Sequence, residues 1–268
     1  AANDISGAGP LFRKSTLLAR KLGDASAFSN CGGDYLFYCP PTVEYVEEAR
    51  QIADEMRRVW DKADPFSLAY GMEMAGSFFL KLGERKQGEA IHREEMESAR
   101  FAGMPARQYY LPYLRACYRI MDGQLEEAAK CHDDVLRSGA EMGVPLMASV
   151  YAVFFGPRVG GYLGWGREGL RRLDEWTQAA GLSVPVYTRA YYMVCGGEAG
   201  EAVTILGEAA SHYAAEPERT RHPFGALVLL LETAVLAKHM RTAEILSNLL
   251  VGAVYKTTGV QNPTCVAR

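Results

Sequence analysis

The stretch that decides the fold is "DGQLEEAAKCHDDVLRSG", residues 122–139. Gly123 ends one segment of helical periodicity, and Glu127 and Ala128 open the next. Glycine suits the left-handed position that closes a helix, and a small residue lets a second helix pack closely on the first. The stretch therefore predicts a helix, a tight turn and a second, antiparallel helix.

The same turn pattern returns along the chain, in "LGERKQGEA" from Leu82, "LGWGREG" from Leu163 and "GGEAGEA" from Gly196. The predicted turn glycines are Gly83, Gly123, Gly164 and Gly197, which are 40, 41 and 33 residues apart. The predicted small residues of the second helices are Gly88, Ala128, Gly169 and Ala202. A further 40 residues on, Ala237 in "LAKHMRTAEIL" is predicted to replace the glycine.

Helical periodicity fills the rest of the chain, whereas alternating apolar and polar residues are nearly absent. Predicted helices start near residues 11, 25, 42, 65, 84, 105, 124, 144, 166, 184, 198, 222 and 240, which makes about thirteen. One hairpin cannot bury its apolar face alone, so hairpins stack on one another. We therefore predict an all-α fold, a right-handed α-solenoid of antiparallel helix hairpins. It spans residues 11–255, after an added or linker segment (1–10) and before a truncated tail that leads to further sequence (256–268).

Composition excludes several classes of function. The formal net charge of −3 leaves no electrostatic footprint for nucleic acid and no polybasic patch for anionic lipid. No apolar run reaches the roughly 20 residues of a membrane span. The six cysteines are scattered and form no C-x-x-C pair, which favours a reduced, cytoplasmic setting.

The turns resemble degenerate tetratricopeptide repeats, with a pitch of about 40 rather than about 34 residues. The order of signals is similar to the helical-repeat region of large bacterial signalling ATPases. "ARKLGD" from Ala19, "ADEMRRVWDKAD" from Ala53, "MDGQLEEA" from Met121 and the segment from Ile205 to Leu250 carry that resemblance. Those proteins join an AAA/STAND-type module to such repeats and end in a class III adenylate/guanylate cyclase or a LuxR-type DNA-binding domain.

The resemblance implies a non-enzymatic sensor or interaction module, which relays partner or ligand binding to an attached ATPase and its cyclase or transcriptional output. No Walker A motif, cyclase metal motif or helix-turn-helix is recognisable in this chain. We therefore expect no cofactor and no nucleic acid or membrane contact by this fragment. The expected partner is a protein or peptide in the concave groove, or another domain of the parent protein. A free-standing scaffold or peptide receptor is the alternative.

Residues Cys131, His132, Asp133 and Asp134 are the first candidates for chemistry. Consecutive helical residues point about 100° apart, so these four side chains cannot converge on one metal ion. An apolar stripe on the same helix comprises Leu125, Ala128, Ala129, His132, Val135 and Leu136. We expect His132 on the packing face and the acids in solvent, with no metal site.

Two further motifs invite a chemical interpretation. "GWGREG", Gly164–Gly169, matches the dinucleotide pattern G-x-G-x-x-G, but that fingerprint needs a preceding strand, and these glycines are in phase with the repeat turns. A nucleotide-binding enzyme using this loop is thus the weakest alternative. "HREE" puts His92 and Glu95 one turn apart, the spacing of di-iron ligands, but we interpret it as surface helix charge.

Tyrosine and arginine are concentrated on the first helices of successive pairs. "RQYYLPYLRACYRI", "SVYAVFF" and "VYTRAYYM" carry them. First helices line the concave groove of a stacked array, and both residue types dominate binding hot spots. The groove candidates are Tyr110, Tyr113, Tyr151 and Arg189. The alternative is that these tyrosines pack in the core between helices.

Overall fold

A computed structural model of the chain describes residues 8–40, 42–98, 106–146, 148–149, 159–179, 184–215 and 224–251. These residues form α-helices and turns without a strand, which confirms the all-α prediction for them. Contacts divide the described residues into two compact units, the first comprising residues 8–98 and the second residues 106–251.

The first unit contains five α-helices. These are α1 (Ala8–Leu22), α2 (Ala25–Tyr38), α3 (Val43–Val59), α4 (Pro65–Lys81) and α5 (Arg85–Glu97), with a 3₁₀ turn at Trp60–Lys62. Asp24 caps α2 by accepting from the Ala27 amide, and Asp64 caps α4 by accepting from the amides of Phe66 and Ser67. Such caps satisfy amides that have no partner inside the helix.

The second unit contains seven α-helices with bounds in the described residues. They are α6 (Ala106–Met121), α7 (Leu125–Glu141), α8 (Gly166–Ala179), α9 (Val186–Cys195), α10 (Ala199–Ala215), α11 (Phe224–Leu236) and α12 (Met240–Leu250). Residues 145–146, 148–149 and 159–162 are also helical. The helix starts lie within three residues of the predicted ones, and the start predicted near residue 144 falls in a segment that is described only in part.

One turn geometry recurs between helices. At Gly83, where φ is 79°, the amide donates to the Leu80 carbonyl, and the following Glu84 amide donates to the Phe79 carbonyl. The same pair of hydrogen bonds forms at Gly23, Gly123, Gly143, Gly164, Gly197 and Lys238. This Schellman arrangement satisfies the last carbonyls of the first helix and needs a left-handed residue.

The last of these turns corrects one prediction. Lys238, not Ala237, occupies the left-handed position, with φ 57°. The alignment on Ala237 was therefore one residue too early. Lysine pays a steric penalty there that glycine avoids, because its Cβ crowds the backbone at positive φ.

In the first unit, most links between alternate helices span 34 to 38 residues, whereas Lys81 reaches Phe37 across 44. Arg13 and Arg20 of α1 pair with Glu48 and Glu55 of α3, each 35 residues further on. Arg50 of α3 pairs with Glu84, 34 residues on. Between α2 and α4, Tyr70 donates to Asp34 across 36 residues and Asn30 donates to Ser67 across 37 residues.

The second unit has its own core. Helix α9 packs on α8, α10 and α11, and α12 packs on α10 and α11. The cluster between α10, α11 and α12 includes Leu206, Tyr213, Leu227, Leu230, Ala234 and Leu246. Thr242 donates to the Leu206 carbonyl, an offset of 36 residues. The offsets of the first unit therefore recur in the second.

Candidate functional site

His132 lies on the packing face of α7, as the apolar stripe predicts. Its side chain is buried, and its ring centroid is 4.4 Å from that of Trp176 on α8. Asp133 is exposed, and the hydrogen bond with His132 lowers the pKa of its carboxyl below the usual range. Within the described parts of the chain, no three His, Cys, Asp or Glu side chains come close enough to hold a metal ion. His132 therefore supports packing.

The glycines of "GWGREG" are explained by turn geometry and close packing. Gly164 has φ 74°, and the residues just before the turn, 159–162, are helical rather than extended. A Cβ at Gly166 would lie 2.7 Å from the Cα of Gly196, and one at Gly169 would enter the Tyr192 ring. The sequence match to a dinucleotide loop thus comes from the crossing of α8 and α9.

The structure corrects the interpretation of "HREE". His92 and Glu95 are both buried, while Arg93 and Glu94 between them are exposed. His92 Nε2 lies 3.2 Å from the Glu73 carbonyl oxygen on α4. Burial lowers the pKa of His92 to about 4, so the ring is neutral near pH 7. A charged surface pattern therefore conceals two inward-facing residues.

Lys81, at the end of α4, is a buried cation that the sequence patterns did not single out. Its side chain is 7% exposed, and its Nζ donates to the Phe37 carbonyl at 3.2 Å near the end of α2. It also lies 5.2 Å from the centroid of the Phe37 ring. Burial lowers the pKa of Lys81 to about 8. Its contacts are those of a cation at a helix C-terminus, where the dipole favours positive charge. The sequence signal was a lysine in the last turn of an otherwise apolar helix.

The predicted groove residues separate into three cases. The side chain of Tyr110 and all of Tyr151 lie outside the described residues. Tyr113 has no exposed surface, so it is a core residue and cannot contact a ligand, contrary to the groove prediction. Arg189 is half-buried and pairs with Asp174 at 2.6 Å. Tyr191 and Tyr192 are buried too, which favours the alternative that these tyrosines form the core.

A polar cluster on α9, α11 and the helical residues 159–162 does reach solvent. Tyr162 is 56% exposed and donates to Glu232 at 3.2 Å, across 70 residues of sequence. A Cβ at Gly161 would clash with the Tyr191 hydroxyl, so glycine brings this helix close to α9. We call Tyr162, Tyr191, Cys195 and Glu232 the Tyr162–Glu232 cluster. Sequence reasoning missed it because its members come from three segments that lie up to 70 residues apart.

The thiol in this cluster is held in its protonated form. Burial raises the pKa of the Cys195 thiol; Tyr191 opposes that shift, and the negative charge of Glu232 adds to it. A protonated thiol is a weak nucleophile. Tyr162 is the exposed member of the cluster, and its hydroxyl is held by Oε1 of Glu232, whose Oε2 is buried.

Three depressions in the described residues lie elsewhere. One, of about 560 Å³, is lined by residues of α10 and α12 and by His239. A second, of about 450 Å³, lies beside Trp60, and a third, of about 310 Å³, lies beside Phe28. Tyr113 and Arg189, the predicted groove residues whose side chains are described, line none of the three.

Comparison with known proteins adds no assignment: no family model, curated protein or solved structure matches this chain. Among the described helices, none is both long enough and apolar enough to cross a membrane.

Proposed function

We propose that this chain is a non-enzymatic helical-repeat interaction module, built as a right-handed α-solenoid of antiparallel hairpins. The observation that carries the proposal is an offset of 34 to 37 residues that recurs between alternate helices. It separates paired side chains of α1 and α3 and of α2 and α4, and in the second unit Thr242 donates to the Leu206 carbonyl across 36 residues. Such offsets are typical of hairpins that each contact the next in sequence.

The role we propose for the module is to bind a protein or peptide and relay that binding to an attached ATPase with a cyclase or transcriptional output. The support is the order of repeat signals from Ala19 to Leu250, which resembles bacterial signalling ATPases. A solenoid suits a relay because each hairpin touches only its neighbours, so ligation changes its curvature at modest cost. A free-standing peptide receptor remains the second form of the proposal.

Peptide selection against the full chain tests the binding role. We expect a random peptide library to yield sequences that bind saturably to the native chain and not to the heat-unfolded chain. Glu232→Gln should weaken the binding of a peptide at the Tyr162–Glu232 cluster, because a neutral amide holds the exposed Tyr162 hydroxyl less firmly than the carboxylate does. Glu208→Gln on α10 is the matched control and should bind as the wild type does. Selection of no peptide would contradict the binding role, and equal binding by both variants would place the peptide away from this cluster.

The parent reading frame distinguishes the two forms of the proposal. A Walker A sequence, G-x-x-x-x-G-K-[ST], encoded in frame with this chain is the expected result for a signalling ATPase. A complete reading frame without one would favour the free-standing receptor.

A further inference from the structure

Helix α1 exposes a row of leucines. Leu11, Leu18 and Leu22 are 66%, 56% and 72% exposed, although α1 buries Thr16 and Ala19 on its other side. With Ser15, whose hydroxyl donates to the Phe12 carbonyl of its own helix, they stand at positions 11, 15, 18 and 22. Steps of four, three and four are the a/d spacing of a coiled-coil seam.

The charges beside this row are all positive. The sequence of α1, "AGPLFRKSTLLARKL", contains no acidic residue. Lys14 and Lys21 are exposed and occupy the position before each a residue of the seam, where coiled coils place the charges that select a partner. Neither lysine pairs with a carboxylate of the described residues. We call Leu11, Leu18, Leu22, Lys14 and Lys21 the α1 seam.

Helix α3 shows what kind of helix α1 accepts. Glu48 and Glu55, seven residues apart on α3, pair with Arg13 and Arg20, seven residues apart on α1, at 2.6 and 3.1 Å. Lys14 and Lys21 repeat the same seven-residue spacing one position further round α1. On the side of α1 that faces α3, the two arginines pair with acids. On the side with the α1 seam, the two lysines repeat the same spacing of positive charge.

We propose that the α1 seam docks an amphipathic helix of a partner protein that carries leucine-type residues at heptad a and d positions and acidic residues seven positions apart. The leucines supply the apolar contact, and the two lysines select the acidic flank. This surface gives the proposed interaction module a class of partner and therefore rests on that proposal.

Two other occupants fit the seam less well. Helices that lie in a membrane surface present a wide apolar face of Trp, Phe or Leu, whereas Phe12 and Leu17 of α1 are partly buried and leave an exposed apolar row one leucine wide. A second copy of the chain would need its own acids seven apart. Glu127 and Asp134 of α7 have that spacing but pair with Lys130 and Arg137 of their own helix. Other acids seven apart, such as Glu201 and Glu208 of α10, lie on described helices that expose no leucine.

The test uses the full chain and two synthetic four-heptad peptides with leucine at a and d. One peptide carries glutamate at e and g, where like charges keep it from pairing with itself, and the other carries lysine. By fluorescence anisotropy we expect saturable binding of the glutamate peptide, at least tenfold tighter than the lysine peptide and weaker at high salt. The double variant Lys14→Glu/Lys21→Glu should reverse the preference, and Leu11→Ser/Leu18→Ser should weaken binding at least tenfold.

Matched controls keep the outcome specific. Lys62→Glu/Lys86→Glu makes the same charge change off α1, Phe66→Ser removes another exposed apolar side chain, and both should bind like the wild type.

Equal affinity for the two peptides, or no effect of the lysine reversal, would overturn the proposal. The proposal would also be overturned if the chain bound neither peptide and either floated with phosphatidylserine vesicles or formed a dimer that Leu18→Ser abolishes. Glu232→Gln should leave this binding unchanged, so failure here and failure of the peptide-selection test are distinguishable.

Discussion

The hairpins α4–α5 and α6–α7 share one plan and differ in their chemistry. Gly83 and Gly123 close their first helices with the same hydrogen bonds and nearly the same φ, 79° and 74°. Nine residues after each glycine stands a buried histidine, His92 or His132. The turn thus fixes which position faces inward.

The neighbours of each histidine differ. In the first hairpin Gly76 and Gly88 leave room for the helices to approach, and the His92 ring lies directly over Gly76, within reach of the Glu73 carbonyl. In the second hairpin the corresponding residues are alanines, Ala116 and Ala128, and His132 lies against Trp176 of α8. The turn sets the position of the histidine. Whether the facing residue is glycine or alanine changes the contacts available to the histidine side chain.

The largest expected effect concerns Tyr113, which occupies in α6 the place of Glu73 in α4, ten residues before the turn glycine. Because Tyr113 is fully buried, Tyr113→Ala should reduce the free energy of unfolding by about 3–5 kcal/mol. Urea denaturation measures it. Tyr162→Ala, at an exposed tyrosine, should cost under about 1 kcal/mol. A loss of similar size for both would show that Tyr113 is not a core residue.

Acid should destabilise the first hairpin through His92. The folded pKa is about 4 and the unfolded value 6.5, so the unfolded state binds more protons between these limits and stability falls as the pH falls through them. The total is on the order of 3 kcal/mol. Urea midpoints from pH 7 to pH 5 should decline in the wild type and decline less in His92→Gln. Parallel pH curves for the two would contradict a neutral, buried His92.

Filling the gap at Gly76 sharpens the contrast between the hairpins. The added Cβ of Gly76→Ala would overlap the buried His92 ring, which predicts a loss of about 1–3 kcal/mol. Gly207→Ala in α10 meets open space and should stabilise by up to about 1 kcal/mol through helix propensity. In the His92→Ala background the loss of stability caused by Gly76→Ala should be smaller. Thermal denaturation of the wild type, the two single variants and the double variant measures it, and an unchanged loss would contradict the contact between Gly76 and His92.

The smallest effect concerns the turns themselves. Lys238→Gly should raise stability by about 0.5–1 kcal/mol, because it removes the strain of a side chain at φ 57°. Gly123→Ala introduces that strain at φ 74° and should lower stability by about 1–2 kcal/mol. Chemical denaturation would contradict this account if both substitutions shifted the midpoint in the same direction.

The helix starts and the turns could be predicted because their signals are local. Apolar spacing places His132 on a buried stripe, and a glycine followed by a small residue marks each hairpin. Lys238 was missed because the turn there lacks the glycine that sets the register. Only the backbone of the folded chain shows that Lys238 is the left-handed residue of this turn.

The contacts between helices could not be predicted in the same way. His92 and Glu95 look like surface charge because Arg93 and Glu94 stand between them, and their burial depends on Gly76 in another helix. Composition predicts a groove position for Tyr113, but it does not say on which face of α6 the side chain lies. The Tyr162–Glu232 cluster depends on three helices that meet only in the folded chain.

The central claim is a repeating register, in which side chains about 35 residues apart meet on neighbouring helices. Carbodiimide cross-linking with mass spectrometry tests it most directly, in the variant Arg13→Lys/Arg50→Lys, since this reagent joins an amine to a carboxylate in direct contact. We predict cross-links from the two introduced lysines to Glu48 and Glu84, at the offsets of 35 and 34 residues seen for the arginines. Cross-links from these lysines to other carboxylates, with none to Glu48 or Glu84, would contradict the repeat.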